Sequence, residues 1–399
     1  MSSVLTVEID GVPFDNIVRC MVRRDMQFIA GTFELTIVDQ GRIRNALLAQ
    51  IGRPEQNAPV KKGSAIVIAI DGETVLSGYV EWTHLIWESD RIECRLRGRD
   101  KTGDLIDCAA LPYGPTEFRG VNLLAVAKTV CTPFGITVRA DVDVGAPFER
   151  LALHKHMTGL SFLESASRQR SILLVSDGVG GLLLTRGGRT RAPAAVKVGE
   201  NVQRVEVESD WSTRFSDYFV MQDTVGRRSG GAAMTSETVP ASSSASGDVP
   251  GPATEVAAET IGTVGHVTDP EIVRWRPTVR LTRSQSGMTT VQEQAAFQAR
   301  VAKALSEAPR MTIPGFRAGP DNLLWKTNQI TTLSDPYSGN DRDMLISGVS
   351  FEWDDRGAFT HLYLTGPSAF DRINEADRHR RGVAPSAAGA PPPPPLTIP

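Results

Sequence analysis

Between Gly98 and Ala110 the chain reads GRDKTGDLIDCAA, and here the period of its hydrophobic residues changes. Just upstream, RIECRLRG (Arg91–Gly98) sets Ile92, Cys94 and Leu96 against Arg91, Glu93, Arg95 and Arg97, the two-residue period of a half-buried strand. Downstream, Leu105, Ile106, Cys108 and Ala109 fit the face of a short helix stopped by Pro112. The stretch holds three carboxylates, a lysine, a threonine and a cysteine, so it also raises the question of catalysis. At a strand-to-helix junction, however, Asp, Thr and Gly serve as turn and cap residues. Asp100 or Thr102 can accept from free helix N–H groups, and Asp104 sits near the positive end of the helix dipole. A nucleophilic Cys108 needs a base, and no histidine lies near it in sequence. Gly98, Arg99, Asp100, Lys101, Thr102 and Asp104 are therefore expected to form a structural joint.

Outward from the joint, the first hundred residues read as short antiparallel strands. LTVEIDG places Leu5, Val7 and Ile9 on one face before an Asp10-Gly11 turn, GTFELTIVD does the same with Phe33, Leu35 and Ile37, and AIVIAI turns at Asp71-Gly72. Such strands argue for a small barrel or sandwich. Past the joint, Asn122 and Thr158 are candidate helix caps, Pro133 and Gly135 end one helix, and SILLVSDGVGGLLLTR reads as a hairpin around Asp177-Gly178. Residues 98–198 are thus expected to be an α+β unit. Strands return in VQRVEVESDW and DYFVMQD, and a helix is expected from Thr290 to Ala308, capped by Thr290 with Glu293. Ser229–Thr268 lacks Lys, Arg and aromatic residues and is expected to be a flexible insertion; the proline-rich end after residue 370 is expected to be extended. LSGYVEW (Leu76–Trp82) echoes ISGVSFEW (Ile346–Trp353), which raises the possibility of a duplicated barrel.

At 399 residues the chain has room for two or three domains. Its 41% hydrophobic and 22% charged residues are ordinary for a globular protein, and a net charge of −3 offers no basic face, so neither tight binding to nucleic acid phosphates nor specific nucleic acid binding is expected. No apolar run reaches the length of a membrane span, so no membrane insertion is expected. The start, MSSVLTVEID, lacks a basic segment followed by an apolar one, which implies synthesis and folding in a cytoplasm. Cys20, Cys94, Cys108 and Cys131 never form a CxxC pair; reduced thiols are expected, with Cys94 and Cys108 buried near the joint.

Other candidates for chemistry are weaker than their plain readings. His154 and His156 lack a third metal ligand nearby and fit a polar strand edge. Asp141 with Asp143, and Asp341 with Asp343, lack the distal glutamate of a calcium loop and fit hairpin turns. DGVGGLLL misses the third glycine of a dinucleotide loop, no GxSxG elbow is present, and adjacent Asp354 and Asp355 point apart. No catalytic constellation, cofactor site or metal site emerges.

The ordered set of segments resembles the baseplate hub family of Mu-like contractile phage tails, relatives of the late control protein D family. GRDKTGDLIDCAA matches that family's signature at the end of its first barrel. CTPFGITVRAD, SFLESASRQRSILLVSDGVGGLLLTR, VGENVQRVEVESDWSTRFSDYFV, VRWRPTVRL and the run from Asn322 to Phe370 match in the family's order. The resemblance implies a β-rich α+β fold: two small antiparallel β-barrel (tube) domains, 1–97 and 199–370, with an inserted α+β outer domain, 98–198. It also implies a homotrimer that joins a sixfold tail tube to a threefold central spike. The spike would be a separate protein, and other neighbours would be the tail tube or adjacent baseplate proteins. The place of action would be the virion baseplate, with a channel for DNA passage. A wall that gripped phosphate would retard DNA, and the chain has 46 acidic against 43 basic residues, so the wall is expected to be polar and acidic, with arginines such as Arg91, Arg95 and Arg97 paired or turned to neighbouring subunits. A tailocin or a type VI secretion-like device would use the same plan. A wall-degrading enzyme needs a paired acid and base or a metal, and a glycan-binding module needs exposed aromatic platforms; aromatic residues are only 6% of the chain, which argues against the module.

Overall fold

The computed structural model describes residues 4–14, 17–39, 60, 63–87, 92–222, 264–282, 291–337 and 339–371. The expected insertion up to residue 263, the Thr290 cap, Arg91 and the tail beyond Asp371 lie outside them.

Seven strands build the first segment: β1 (Leu5–Ile9), β2 (Val12–Phe14), β3 (Ile17–Asp25), β4 (Phe28–Asp39), β5 (Ala65–Ile70), β6 (Glu73–Trp87) and β7 (Ile92–Asp100). Their alternation sends Val7, Ile9, Phe33, Leu35, Cys94 and Leu96 into one apolar core. Asp10-Gly11 and Asp71-Gly72 take left-handed backbone at both residues, the twist that suits a tight hairpin.

The α+β unit contains α1 (Gly103–Asp107), β8 (Glu117–Phe118), α2 (Leu123–Cys131), β9 (Thr137–Ala140), β10 (Leu151–Ala152), α3 (Gly159–Arg168), β11 (Leu173–Ser176) and β12 (Gly181–Thr185). Asn122 Oδ1 accepts from Ala125 N–H at 2.9 Å, and the Thr158 hydroxyl accepts from Ser161 N–H at 3.2 Å, so both caps form where the sequence puts them. Leu105, Val126, Phe162 and Leu163 lie fully inside a second core. β11 and β12 form the hairpin, and β9 joins β12 in parallel.

α1 is a single short turn, which corrects one expectation. It ends at Asp107, Cys108 leaves in extended backbone, and its thiol is exposed rather than packed beside Cys94. The other cysteines are buried, and burial pushes Cys20 and Cys131 up to about 12 and Cys94 up to about 11. A thiol reagent should therefore titrate one cysteine rapidly in the native protein and all four after denaturation. Rapid reaction of a second thiol, or protection of Cys108, would contradict this placement.

The rest of the chain adds β13 (Thr190–Arg191), β14 (Val196–Lys197), β15 (Arg204–Ser209), β16 (Asp217–Gln222), β17 (Val264–Thr268), β18 (Pro277–Thr282), α4 (Val291–Ser306), β19 (Glu307–Pro314), β20 (Arg317–Ala318), β21 (Leu323–Leu324), β22 (Gln329–Asp335), β23 (Asn340–Asp354) and β24 (Gly357–Thr365). β16 lies between β17 and β18 in a separate small sheet, with Val220 packed against Val291 and Ala295 of α4. Two boundaries are corrected here. Val264–Thr268, the end of the expected insertion, is a strand because β16 offers it a ladder. The helix stops at Ser306, and Glu307 and Ala308 already pair with β15.

Fourteen strands join in one large sheet. Its main order is β15-β19-β24-β23-β3-β4-β7-β6-β5-β1-β2, with β22 on β23 and both β13 and β14 on β22. The antiparallel pair β3·β23, from Gly348↔Asp25 to Trp353↔Cys20, fuses the two β segments. Two small antiparallel β-barrels were the expectation; among the described residues the ladder is continuous, with β15 and β2 at its ends, and no closed sheet is formed. An unpaired edge on β3 and on the second half of β23 would leave backbone N–H and C=O groups without partners, and their pairing satisfies both.

The large sheet contains one plan twice. β3-β4-β7-β6-β5 corresponds to β15-β19-β24-β23-β22, in the same chain order and the same ladder order. β6 has an irregularity between Val80 and Trp82, and β23 has one between Ile346 and Gly348. Aligned there, buried Leu96 matches Leu362, Leu35 matches Met311 and Ile68 matches Leu333. The Ser-Gly echo is displaced from this equivalence, since Ser77-Gly78 precedes the irregularity in β6 while Gly348 follows it in β23. The duplication is real; the echo is not its register.

Candidate functional site

The joint begins where β6 and β7 cross closely. A Cβ on Gly98 would stand 2.0 Å from the Tyr79 carbonyl oxygen and 2.7 Å from the Phe33 ring, so only glycine fits. Two residues on, Asp100 is 2% exposed and accepts four hydrogen bonds. Gly31 N–H of β4 donates to it at 2.9 Å, Thr102 N–H at 2.9 Å, the Thr102 hydroxyl at 2.5 Å and the Ser176 hydroxyl of β11 at 2.5 Å. One carboxylate thus ties together the first sheet, the entry to α1 and the outer hairpin. Burial pushes its carboxyl above the usual range, with the four donors pulling the other way. The expected side-chain cap from Thr102 to α1 is absent: its hydroxyl turns to Asp100 instead.

The hairpin turn is seated on this joint. Ser77 N–H donates to the Gly178 carbonyl at 3.2 Å, and Lys101 N–H donates to the Ser77 carbonyl at 3.2 Å. Gly178 has φ of +77°, and a Cβ there would overlap the Arg24 guanidinium, which donates to the Val75 carbonyl. Burial lowers the Arg24 pKa, against the pull of Asp100 and Asp177. Lys101 lays its stem across Gly180. Arg99 is held by Glu81 at 2.7 Å and by Asp107, bonds that raise its pKa, while the bond from Arg99 holds Asp107 below the usual range. Asp104 is pushed up by burial and drawn down by Arg99.

All six expected joint residues stand together, but half of the joint comes from elsewhere. Gly31, Arg24, Ser176 and Gly178 carry no short-range signal beyond the turn reading of Asp177-Gly178. The polar groups that looked catalytic are engaged: Asp100 is sealed and Arg99 is clamped, while Cys108 caps the C-terminal end of the one-turn helix with its thiol exposed.

The remaining candidates settle into structural roles. His154 and His156 stack at 5.8 Å on a turn, not a strand edge, where Lys155 Nζ donates to the Leu111 and Gly114 carbonyls at 3.1 and 2.6 Å. Asp141 accepts from the Thr185 hydroxyl and Asp143 from Gly145 N–H. Asp341 and Asp343 lie within β23 rather than in a turn, because the β22–β23 loop closes before them; Arg191 holds Asp343 in two bonds, at 3.0 and 2.6 Å. Asp354 accepts Arg356 N–H in a tight turn. Among the described residues no cluster of three or more His, Cys, Asp or Glu could hold a metal, and no helix is long and apolar enough to cross a membrane.

One polar cluster had no sequence signal. On neighbouring strands of the large sheet, Thr312 lies 3.0 Å from His361 Nδ1, His361 Nε2 lies 2.8 Å from Glu352, and Arg19 donates to Glu352 at 2.7 Å. Burial raises Glu352, and the bonds from His361 and Arg19 outweigh it, leaving the carboxyl below its usual range. On the same polar face Arg95 pairs with Glu93 at 2.6 Å, and Arg97 pairs with Glu34 at 2.9 Å and lies over the Trp82 ring.

Three protein-family descriptions match in order: Mu phage baseplate assembly protein GpP-like, N-terminal, over residues 4–100; baseplate hub protein gp44-like, second domain, over 102–186; and Mu phage baseplate assembly protein GpP, fourth domain, over 288–373. The first two meet at the joint. Baseplate hub protein gp44 of Escherichia phage Mu is 29% identical over 396 residues, covering 98% of this chain and 94% of that protein. The 43 kDa tail protein of prophage MuSo2 from Shewanella oneidensis has a similar structure, with TM-score 0.75, 25% identity, and coverage of 94% of this chain and all of that one. A tail protein from Neisseria meningitidis shares the fold at TM-score 0.69 and 17% identity, covering 93% of this chain and 100% of that one. Two of the family descriptions meet between residues 100 and 102 and the full-length match runs nearly end to end, so the chain is similar throughout to the baseplate hub proteins of Mu-like phage tails.

Proposed function

We propose that three copies of the chain form a ring at the tip of the tail, joining a sixfold tail tube to a threefold spike supplied by a separate protein. The observation that carries this is the repeated five-strand plan: two like units in each of three chains make six around one axis. In this reading residues 1–97 and 199–370 are the tube domains, whose sheets curl into barrel-like walls, and residues 98–198 form the outer domain. Gly98, Arg99, Asp100, Lys101, Thr102 and Asp104 are the joint between tube and outer domain. The chain acts in the virion baseplate after synthesis in the host cytoplasm, and its role is structural rather than enzymatic.

DNA passes through the ring. A wall that neutralised six to ten phosphates would hold DNA tightly in a salt-dependent way and retard it. The arginines of the polar face support free passage, since Arg19, Arg95 and Arg97 each have a carboxylate partner. The purified chain imaged at low resolution should show a ring with a central hole, and a gel shift at low salt should show no tight binding of double-stranded DNA. Tight binding lost as salt rises would mean that the ring grips its cargo, contrary to this reading.

A further inference from the structure

The duplication leaves one junction inside the chain and points to a second between chains. Inside, the first half of β23 pairs with β22, and its second half pairs with β3. The counterparts of β23 and β3 in the repeat are β6 and β15. β5 pairs with β6 from Glu73 to Tyr79, and among the described residues the same edge of β6 has no strand partner from Glu81 to Ile86. β15 pairs with β19 on one side and, among the described residues, with nothing on the other. β19, β24, β23, β3, β4 and β7 stand between these two edges in the ladder.

We infer that β15 of one copy pairs antiparallel with the second half of β6 in the next copy, head to tail around the ring. The inference rests on the threefold ring proposed above and names the surface that closes it. The internal junction supplies the register. Val349↔Arg24, Ser350↔Arg23, Phe351↔Val22 and Glu352↔Met21 become Thr83 opposite Ser209, His84 opposite Glu208, Leu85 opposite Val207 and Ile86 opposite Glu206. Val207 is 53% exposed in the single chain, an apolar residue on a bare edge, and this register covers it with Leu85. His84 meets a carboxylate. Neither edge carries proline or lysine, the residues that commonly block edge strands, whereas the terminal strand β2 carries Pro13. A head-to-tail contact of this kind closes into a ring when its rotation divides the circle.

Directly opposed residues of an antiparallel pair lie within disulfide reach. The test is a Leu85→Cys/Val207→Cys double variant of the full chain, with Cys108→Ala removing the exposed native thiol, under mild oxidation. The expected product on a non-reducing gel is a covalent trimer that reverts to monomer on reduction, with each single variant remaining uncross-linked. A trimer in light scattering that gives no cross-link overturns the strand pairing and leaves the ring reading intact. A covalent dimer from Val207→Cys alone shows β15 meeting β15 and also overturns the pairing. A monomer in light scattering overturns both.

Discussion

Asp100→Ala is expected to cost about 2–5 kcal/mol of stability. The buried N–H groups of Gly31 and Thr102 lose their acceptor, and each orphaned buried donor costs roughly 1–3 kcal/mol. The hydroxyls of Thr102 and Ser176 can turn elsewhere, and removing a carboxyl whose pKa is raised by burial returns part of the loss. Asp107→Ala, on a half-exposed ion pair with Arg99, should cost about 0–1 kcal/mol. Denaturant midpoints of the two variants make the comparison. Equal small losses would mean that Asp100 does not hold the joint.

Arg214→Ala should be comparably severe, at about 3–5 kcal/mol. Arg214 is fully buried between β15 and β16 and donates to Asp269 at 2.6 Å and to Glu271 at 2.8 Å. Lys303 of α4 also binds Glu271, so the arginine ties the small sheet to its helix. Truncation leaves the Asp269 carboxylate, 8% exposed, without its cation. An Arg214→Met/Asp269→Leu variant removes both charges and should recover most of the loss, because well-packed apolar replacements of buried pairs are often neutral. Thermal melts of the single and double variants decide it; a single variant as stable as the parent would contradict the role given to this pair.

Much of this was legible locally. Two-residue alternation set the buried faces of β1, β4 and β7, Asp-Gly pairs marked the hairpins, and Asn122 and Thr158 capped their helices. Turn and cap residues at a change of period read as a joint, and in the fold Asp100 of that stretch bonds to Gly31, Thr102 and Ser176. What escaped depends on distant partners. Nothing near Asp100 names Gly31 or Ser176, and nothing in β3 names β23, because strand edges are matched across the fold and not along the chain. Local helix rules also overran: the face through Cys108 assumed a helix longer than its one turn. The duplication was suspected from a Ser-Gly echo whose register is wrong, since what repeats is the order and bulge of the strands and not their spelling.

The central claim, that this hub works as a ring of three duplicated chains, is tested most directly by the mass of the purified protein in solution. Light scattering across a size-exclusion peak at micromolar concentration should give the mass of three chains. A monomer under these conditions, with and without the spike protein, would contradict the account.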